Sequence, residues 1–309
     1  MNNEPALNGM ALTEQDRCEP LLRPGNSNCG GCGMSNLMQM LRRAAADRDV
    51  KLVIPACCAA VTGGSFPESA YSVPTIMATF ASAAAVATGV ASVAQLNGEA
   101  TRVVCLAGDG GTYDIGMGSL SAAAERNEDI LYICYDNEIY GNTGGQRSSA
   151  TPAGAATTST PGGKQETKKD IIGIMAAHRI PYVASISLAH IDDTLRKLQF
   201  ALDAKGFRFL HVLSPCPTGW KSEPAMGIEL VRLAVRSGLF PVFEVFDGVR
   251  YVINVEPEFS REALMMYLSL QRRFRKSGVT EESLRPSIEH YWNYLRLMSG
   301  RIVPARRNI

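Results

Sequence analysis

The chain has 309 residues, with 31 Lys and Arg against 30 Asp and Glu, so it is close to neutral. Neutrality argues against a sequence-independent nucleic-acid binder, which needs a basic footprint to displace counterions from phosphates. With 46% hydrophobic and 20% charged residues, the bulk of the chain is globular rather than disordered.

Residues 1–24 read as a polar N-terminal arm. Their opening, MNNEPALNGMALTEQDRCEP, shows no basic start followed by an apolar run, so no secretory signal and a cytoplasmic location are expected. In that compartment the eight cysteines are metal ligands or buried residues rather than disulfides. The stretch from Ala70 to Asn97 carries no charge but is rich in Ala, Ser, Thr and Gly and contains Pro74. It reads as a helix packed in a core or a subunit interface, not as a membrane span.

From about residue 50, apolar β-branched runs alternate with helical patterns. The strand candidates are KLVIPACC (51–58), TRVVCLAGDG (101–110), DILYICYDN (129–137), PYVASIS (181–187) and FRFLHVLSPC (207–216). Helices are predicted over 33–46, 76–97, 114–126, 168–179, 190–204 and 226–237. Runs that are apolar on both faces and separated by helices predict a mostly parallel sheet covered on both sides, a three-layer α/β/α fold. The segment from Gly141 to Lys169, rich in Gly, Ser, Thr and Pro, is expected to be functional or mobile. Beyond Phe240 a short β-segment, GVRYVINV, leads into polar helices and a basic tail, RIVPARRNI, read as a packing arm.

Ligands of open parallel sheets bind outside the carboxyl ends of the strands. Those ends carry Cys57 and Cys58, Asp109, Asn137 and Cys216. In GDGG (108–111) the glycines let the backbone approach a diphosphate, and Asp109 offers a hard oxygen to Mg²⁺. Asn137, at the next strand end, and the carbonyl of Ile139 would complete the protein's share of an octahedral site. A second constellation joins CGGC (29–32), CC (57–58) and Cys216. Four thiolates suit either zinc or a [4Fe–4S] cluster, and a redox C-x-x-C pair with unrelated buried cysteines is the plainer alternative. Cys105 and Cys134 lie within apolar runs and read as core. Together with Cys18 they are left over from the set. His178, His190, His211 and His290 are scattered and read as structural or surface residues.

GDG followed by Asn at the next strand end resembles the thiamine diphosphate motif. The longer run GDGGTYDIGMGSLSAAAERNEDILYICYDNEIYGNTGG resembles the thiamine-binding β subunit of 2-oxoacid:ferredoxin oxidoreductases, pyruvate:ferredoxin oxidoreductase being the familiar member. The likeness runs from about Pro24 through PCPTGW (215–220) into GLFPVFEVFDGV (238–249). It implies a thiamine diphosphate-binding fold, with an arm over 1–24, a thiamine and Fe–S binding module over 25–237 and a packing extension over 238–309. It also implies thiamine diphosphate, Mg²⁺ and one [4Fe–4S] cluster as cofactors. Mapped onto this chain, the cluster ligands are Cys29, Cys32, Cys58 and Cys216, with Cys57 the adjacent rival to Cys58. The thiamine and Mg²⁺ residues are Gly108, Asp109, Gly110, Gly111, Thr112, Asn137, Ile139, Asn142 and Thr143, together with Cys58. Asn142 is the catalytic candidate, beside the thiamine ring and the substrate carbonyl.

The reaction implied is oxidative decarboxylation of a small 2-oxoacid, with electrons leaving singly to ferredoxin. Pyruvate would need coenzyme A, whereas oxalate would not. Two departures from the pyruvate pattern, PGN (24–26) for the usual PGH and ACC (56–58) for the usual TGC, keep oxalate level with pyruvate, and branched acids stay open. No residue matches the family's glutamate that activates the aminopyrimidine. A second subunit is therefore expected to complete the thiamine site, and another to carry ferredoxin-type clusters. No membrane and no nucleic acid is expected as a partner. A non-redox thiamine lyase or carboligase and a structural zinc protein are the competing readings.

Overall fold

In the computed structural model, which describes residues 19–65, 67–275 and 277–300, the first elements are α1 (Gly33–Ala45), β1 (Val50–Pro55) and a short α2 (Cys58–Thr62). Then come β2 (Thr75–Ala78), α3 (Ala83–Leu96), β3 (Arg102–Gly108), a π-helical turn (Gly110–Asp114), α4 (Met117–Glu125) and β4 (Leu131–Asp136). A long irregular segment leads to α5 (Ile171–Ala177), β5 (Tyr182–Ser187), α6 (Ile191–Asp203), β6 (Arg208–Leu213), α7 (Pro217–Trp220) and α8 (Gly227–Arg236). The last elements are β7 (Val242–Phe246), β8 (Arg250–Val255), α9 (Arg261–Ser269) and α10 (Glu281–Met298).

The eight strands form one sheet in the order β2-β1-β3-β4-β6-β5-β7-β8. The first six pair in parallel, and β7 and β8 add antiparallel at one edge. Every residue of β4, β5 and β6 is buried, as expected of central strands covered on both faces. Alternate residues feed two cores. Cys105, Tyr132 and Cys134 face α3, α4 and α5, while Leu106, Ile133 and Tyr135 face α1 and α6. In α1, Met34, Leu37, Met38 and Leu41 recur at helical spacing and are fully buried. Truncating Leu41 to Ala would cost about 2–5 kcal/mol. A third core joins Trp220, Leu230 and Val242 to Tyr267 and Phe274, so the C-terminal segments pack directly on the sheet.

Two elements differ from the sequence reading. The helix predicted over 76–97 is split: residues 75–78 form β2, and α3 starts only at Ala83. Pro74 explains the change, since it favours extended backbone before it and its carbonyl accepts the Leu52 N–H at 2.9 Å, starting the β1–β2 ladder. β7 was hidden by Glu244, a charge in an otherwise apolar run. It is buried because Arg196, Tyr182 and Asn254 all hydrogen-bond it. Among the described residues, no helix is long and apolar enough to cross a membrane. Most of the expected N-terminal arm, with Cys18, and the tail 301–309 lie outside the described residues.

Candidate functional site

At the carboxyl edge of β1, β3 and β4 lies an open cleft of about 390 Å³, within the size range of cofactor pockets. Of the residues expected there, Cys58, Gly108, Asp109, Gly110, Gly111, Asn137, Ile139, Asn142 and Thr143 line it. Thr112 does not. Its hydroxyl donates to the Gly108 carbonyl at 2.8 Å and meets Tyr132 Oη at 3.2 Å, inside the fold.

β3 delivers Gly108 and then Asp109, whose carboxylate is buried and accepts a hydrogen bond from Ser148 Oγ. Burial first, and the nearby Asp136 charge second, push the Asp109 carboxyl well above the usual carboxylate range. Asp136 itself shows the opposite balance. Burial would raise it, but the Lys168 ammonium, 2.6 Å away, and His211 Nε2, 2.8 Å away, hold it well below that range. Tyr113 Oη also donates to Asp136, at 2.9 Å. Gly110 is required by contact rather than by its dihedral angles: a Cβ there would lie 2.2 Å from the Tyr140 ring. That ring is fixed by a 2.7 Å hydrogen bond to Asp114 and by edge contact with Phe80.

β4 delivers Asn137, Glu138 and Ile139. The Asn137 carbonyl accepts from Trp220 Nε1 at 2.8 Å, and its side-chain oxygen accepts from the Ile139 N–H at 3.3 Å. Glu138 is buried with a left-handed φ of 64°. Its N–H donates to Asp136 Oδ1 at 2.9 Å, and its carbonyl accepts from Thr151 Oγ1 at 2.7 Å. Its carboxylate meets Lys168 at 2.9 Å and Arg273 at 2.6 Å.

The thiols fall into two groups. Cys57 also lines the cleft, and its thiol donates to the Pro55 carbonyl at 2.9 Å. Cys58 faces the cleft, with its Sγ 3.5 Å from Asn142 Oδ1 and 4.0 Å from Asn137 Nδ2. Cys216 caps α7, and its Sγ accepts the Gly219 N–H at 3.3 Å. Cys29 and Cys32 form a tight turn, N–H to carbonyl 3.1 Å, that opens α1. Gly31 within it has φ +77° and packs against Pro224, where a Cβ would clash with backbone. Burial, followed by the neighbouring thiols of Cys216, Cys57, Cys32 and Cys29, pushes Cys58 up to about 12. Burial likewise raises Cys216 to about 11, with Cys32 and Cys29 adding to the rise. Among the described residues, no group of three or more Cys, His, Asp or Glu side chains is placed to hold a metal ion. Cys105 and Cys134 are fully buried in the core.

The segment 141–169 is held tightly rather than free. Lys164 Nζ donates to the carbonyls of Thr151 (2.7 Å), Ser149 (3.2 Å) and Thr167 (3.2 Å), and Lys169 to that of Tyr113. Sequence reasoning missed Ser148, Lys168, Glu138 and Arg273. Glu138 was visible inside DNEIYGN, but nothing local to the sequence ties it to Lys168 or Arg273.

Residues 57–212 match the family model described as thiamine pyrophosphate enzyme, C-terminal TPP binding domain. Over 279 residues the chain is 40% identical to pyruvate synthase subunit PorB of Methanothermobacter marburgensis, covering 88% of this chain and 95% of that one. It is 43% identical over 288 residues to ketoisovalerate oxidoreductase subunit VorB of Pyrococcus abyssi, covering 89% and 92%. Among solved structures, a chain of 2-oxoglutarate:ferredoxin oxidoreductase from Magnetococcus marinus superposes with a TM-score of 0.58 at 22% identity, over 73% of this chain and 82% of that one, and shares the fold.

Proposed function

The chain belongs to the thiamine-pyrophosphate-binding subunits of the 2-oxoacid oxidoreductases, and from that premise we propose that its cleft holds the diphosphate and metal end of thiamine diphosphate beside a [4Fe–4S] cluster. It is a subunit of an oxidoreductase of the 2-oxoacid:ferredoxin type. Asp109, Asn137 and the Ile139 carbonyl would hold Mg²⁺, and Cys29, Cys32, Cys58 and Cys216 the cluster. The observation that carries this reading is the meeting of Asp109, Asn137, Ile139 and Cys58 in one cleft.

The donor types present, hard oxygens and thiols, suit both groups. Asp109 is a buried carboxylate held by one hydroxyl, and with Asn137 and Ile139 it makes a set of hard oxygen donors suited to Mg²⁺. Gly108, Gly110 and Gly111 bring backbone to the cleft wall, which suits the close approach of a diphosphate. Beyond burial, the thiols of Cys216, Cys32 and Cys29 raise Cys58, and those of Cys32 and Cys29 raise Cys216, a neighbourhood of thiols whose charges a cation among them would offset. When bound, thiamine diphosphate supplies the carbanion chemistry that releases CO₂ from a 2-oxoacid, and the cluster accepts single electrons. The chain's own part is to clamp the metal end through Asp109 and Asn137 and to present the Asn142 amide at the rim, where it can hydrogen-bond developing charge.

Asp109 is the sole carboxylate among the described residues that line the cleft, and the proposed metal uses it. The acid that activates the aminopyrimidine therefore comes from another subunit, and further ferredoxin-type clusters from a third. We read residues 25–237 as the cofactor module and 238–309 as an extension packed on it. Arg273 reaching Glu138, and Arg236 of the module pairing with Glu258 of the extension at 2.9 Å, support that division. A cytoplasmic location suits ferredoxin-linked chemistry.

The relatives' names favour a small aliphatic 2-oxoacid, and the PGN and ACC departures make oxalate the second substrate to test. The test is anaerobic dye reduction by the complete complex over pyruvate, 2-oxoisovalerate and oxalate, with and without coenzyme A, alongside elemental analysis. Coenzyme A-dependent reduction with pyruvate or 2-oxoisovalerate is expected, and coenzyme A-independent reduction with oxalate alone would assign oxalate. A colourless, iron-free complex would overturn the redox reading in favour of a thiamine lyase, and zinc without iron would favour a structural zinc site.

A further inference from the structure

Glu138 stands between the two backbone positions proposed to hold the metal, and it is in an unusual state. Seven side-chain-bearing residues among those described have a left-handed φ, and Glu138 alone of them is buried. The conformation is one that such residues avoid, so something must hold it. Here every polar group of the residue is engaged: the N–H by Asp136, the carbonyl by Thr151, and the two carboxylate oxygens by Lys168 and Arg273.

The bend at Glu138 brings the Ile139 N–H back to the Asn137 side chain at 3.3 Å and leaves both residues facing the cleft. The tethers also close a ring. Arg273 lies 4.4 Å above the Trp220 ring, and Trp220 Nε1 donates at 2.8 Å to the carbonyl of Asn137. Lys168 bridges Glu138 and Asp136, so the buried acids Asp136 and Glu138 are matched by Lys168 and Arg273, leaving Asp109 as the charge facing the cleft.

We propose that Glu138 is a positioning residue: tethered by Lys168 and Arg273, it fixes the left-handed turn that aims the Asn137 side chain and the Ile139 carbonyl at a divalent cation. This rests on the cation reading above. It assigns Lys168, from the segment 141–169, and Arg273, from the C-terminal extension, to the same task.

The full chain in its complex, stripped of metal with chelator and supplied with saturating thiamine diphosphate, is titrated with Mn²⁺ and followed by electron paramagnetic resonance. All variants are measured well below their melting temperatures. Lys168→Met separates positioning from charge. Removing a positive charge near a cation site should tighten binding by Coulomb's law, whereas loss of a tether should weaken it. We expect the Mn²⁺ midpoint to rise at least about tenfold in Lys168→Met and in Glu138→Ala, the scale of losing a residue that orients a metal ligand. Glu138→Gly should recover to within about threefold of the native midpoint, because glycine takes the left-handed turn without strain.

A tighter or unchanged midpoint in Lys168→Met overturns the inference. So does a Glu138→Gly variant as weak as Glu138→Ala. Asp109→Ala is the control for the underlying reading. If it binds Mn²⁺ like the native chain, the cation site itself is wrong. If it loses binding while Lys168→Met does not weaken, the site stands and only the role of Glu138 falls.

Discussion

The thiol of Cys58 lies 3.5 Å from the side-chain oxygen of Asn142, at the lip of the cleft, while its neighbour Cys57, which also lines the cleft, is tied down by donating to the Pro55 carbonyl at 2.9 Å. Of the two adjacent cysteines, Cys58 is the one raised, after burial, by the thiols of Cys216, Cys32 and Cys29, while burial dominates at Cys57. Cys58→Ser and Cys216→Ala are therefore expected to lose cluster iron and dye reduction while still binding thiamine diphosphate. Cys57→Ser should keep both. Iron and acid-labile sulfide, measured anaerobically on purified complexes, decide it; full iron in Cys216→Ala would remove that residue from the ligand set.

Asp109 reaches the cleft from inside the fold, and Ser148 donates to its carboxylate. Its removal should release the metal-bound cofactor, so Asp109→Ala is expected to be purified without thiamine diphosphate. Ser148→Ala keeps the carboxylate and loses its orientation. A weakening of about tenfold in cofactor retention is expected there, in line with other residues that steady a metal ligand. Unchanged cofactor content in Asp109→Ala would rule the clamp out.

The strand-end positions of Asp109, Asn137, Cys58 and Cys216 were legible in the sequence because they follow apolar runs whose length and β-branching mark buried parallel strands. Two kinds of feature were not legible. Glu244 masked a strand because its charge is neutralised by residues from α6, β5 and β8, pairings that a linear pattern does not carry. Nothing in the sequence sets Lys168 and Arg273 apart from the other basic residues. Their partner Glu138 lies 30 and 135 positions away along the chain, so only the folded topology brings the three together.

Glu244 gives a stability prediction with a definite sign. Burial alone would raise its carboxyl, but hydrogen bonds from Arg196, Tyr182 and Asn254 outweigh it and hold the group below the usual glutamate range. The fold therefore favours the charged form. Its contribution is present above the unfolded-state value of about 4.3 and is lost as pH falls through the lower folded value. Glu244→Ala removes the acceptor shared by Tyr182, Asn254 and Arg196 and should cost about 1–3 kcal/mol at neutral pH, Arg196 keeping Asp193 and solvent. Chemical denaturation of native and Glu244→Gln chains should show a stability gap that narrows on acidification. A gap that widened would contradict the pairing.

Gly110 carries a steric prediction that can be rescued. A methyl group there would sit 2.2 Å from the Tyr140 ring, which Asp114 and Phe80 hold in place. Gly110→Ala should push Tyr140 out of position and disturb the floor of the cleft, weakening thiamine diphosphate binding by about tenfold or more, since overpacking costs roughly 1–3 kcal/mol. Adding Tyr140→Phe should not help, because the clash is with ring carbons. Adding Tyr140→Ala should recover part of the loss, a non-additive coupling read by titration calorimetry. Strict additivity would show that the two residues do not meet.

Asn142 sits exposed at the rim, next to the Cys58 thiol and not in the buried metal end of the cleft. A side chain so placed can be removed without collapsing the fold or the clamp at Asp109. Its effect should therefore fall on turnover and not on cofactor content. If the amide donates to charge that develops on the substrate carbonyl, Asn142→Ala should lower kcat by about 10²–10³, the scale of losing one preorganised donor. Asn142→Asp keeps the shape but replaces the donor with a carboxylate, and should be no better than Ala. KM should change far less than kcat in both, because the interaction strengthens only as charge builds. Steady-state kinetics on variants with native thiamine and iron content give the answer. A rise in KM with kcat intact would make Asn142 a substrate-binding residue instead.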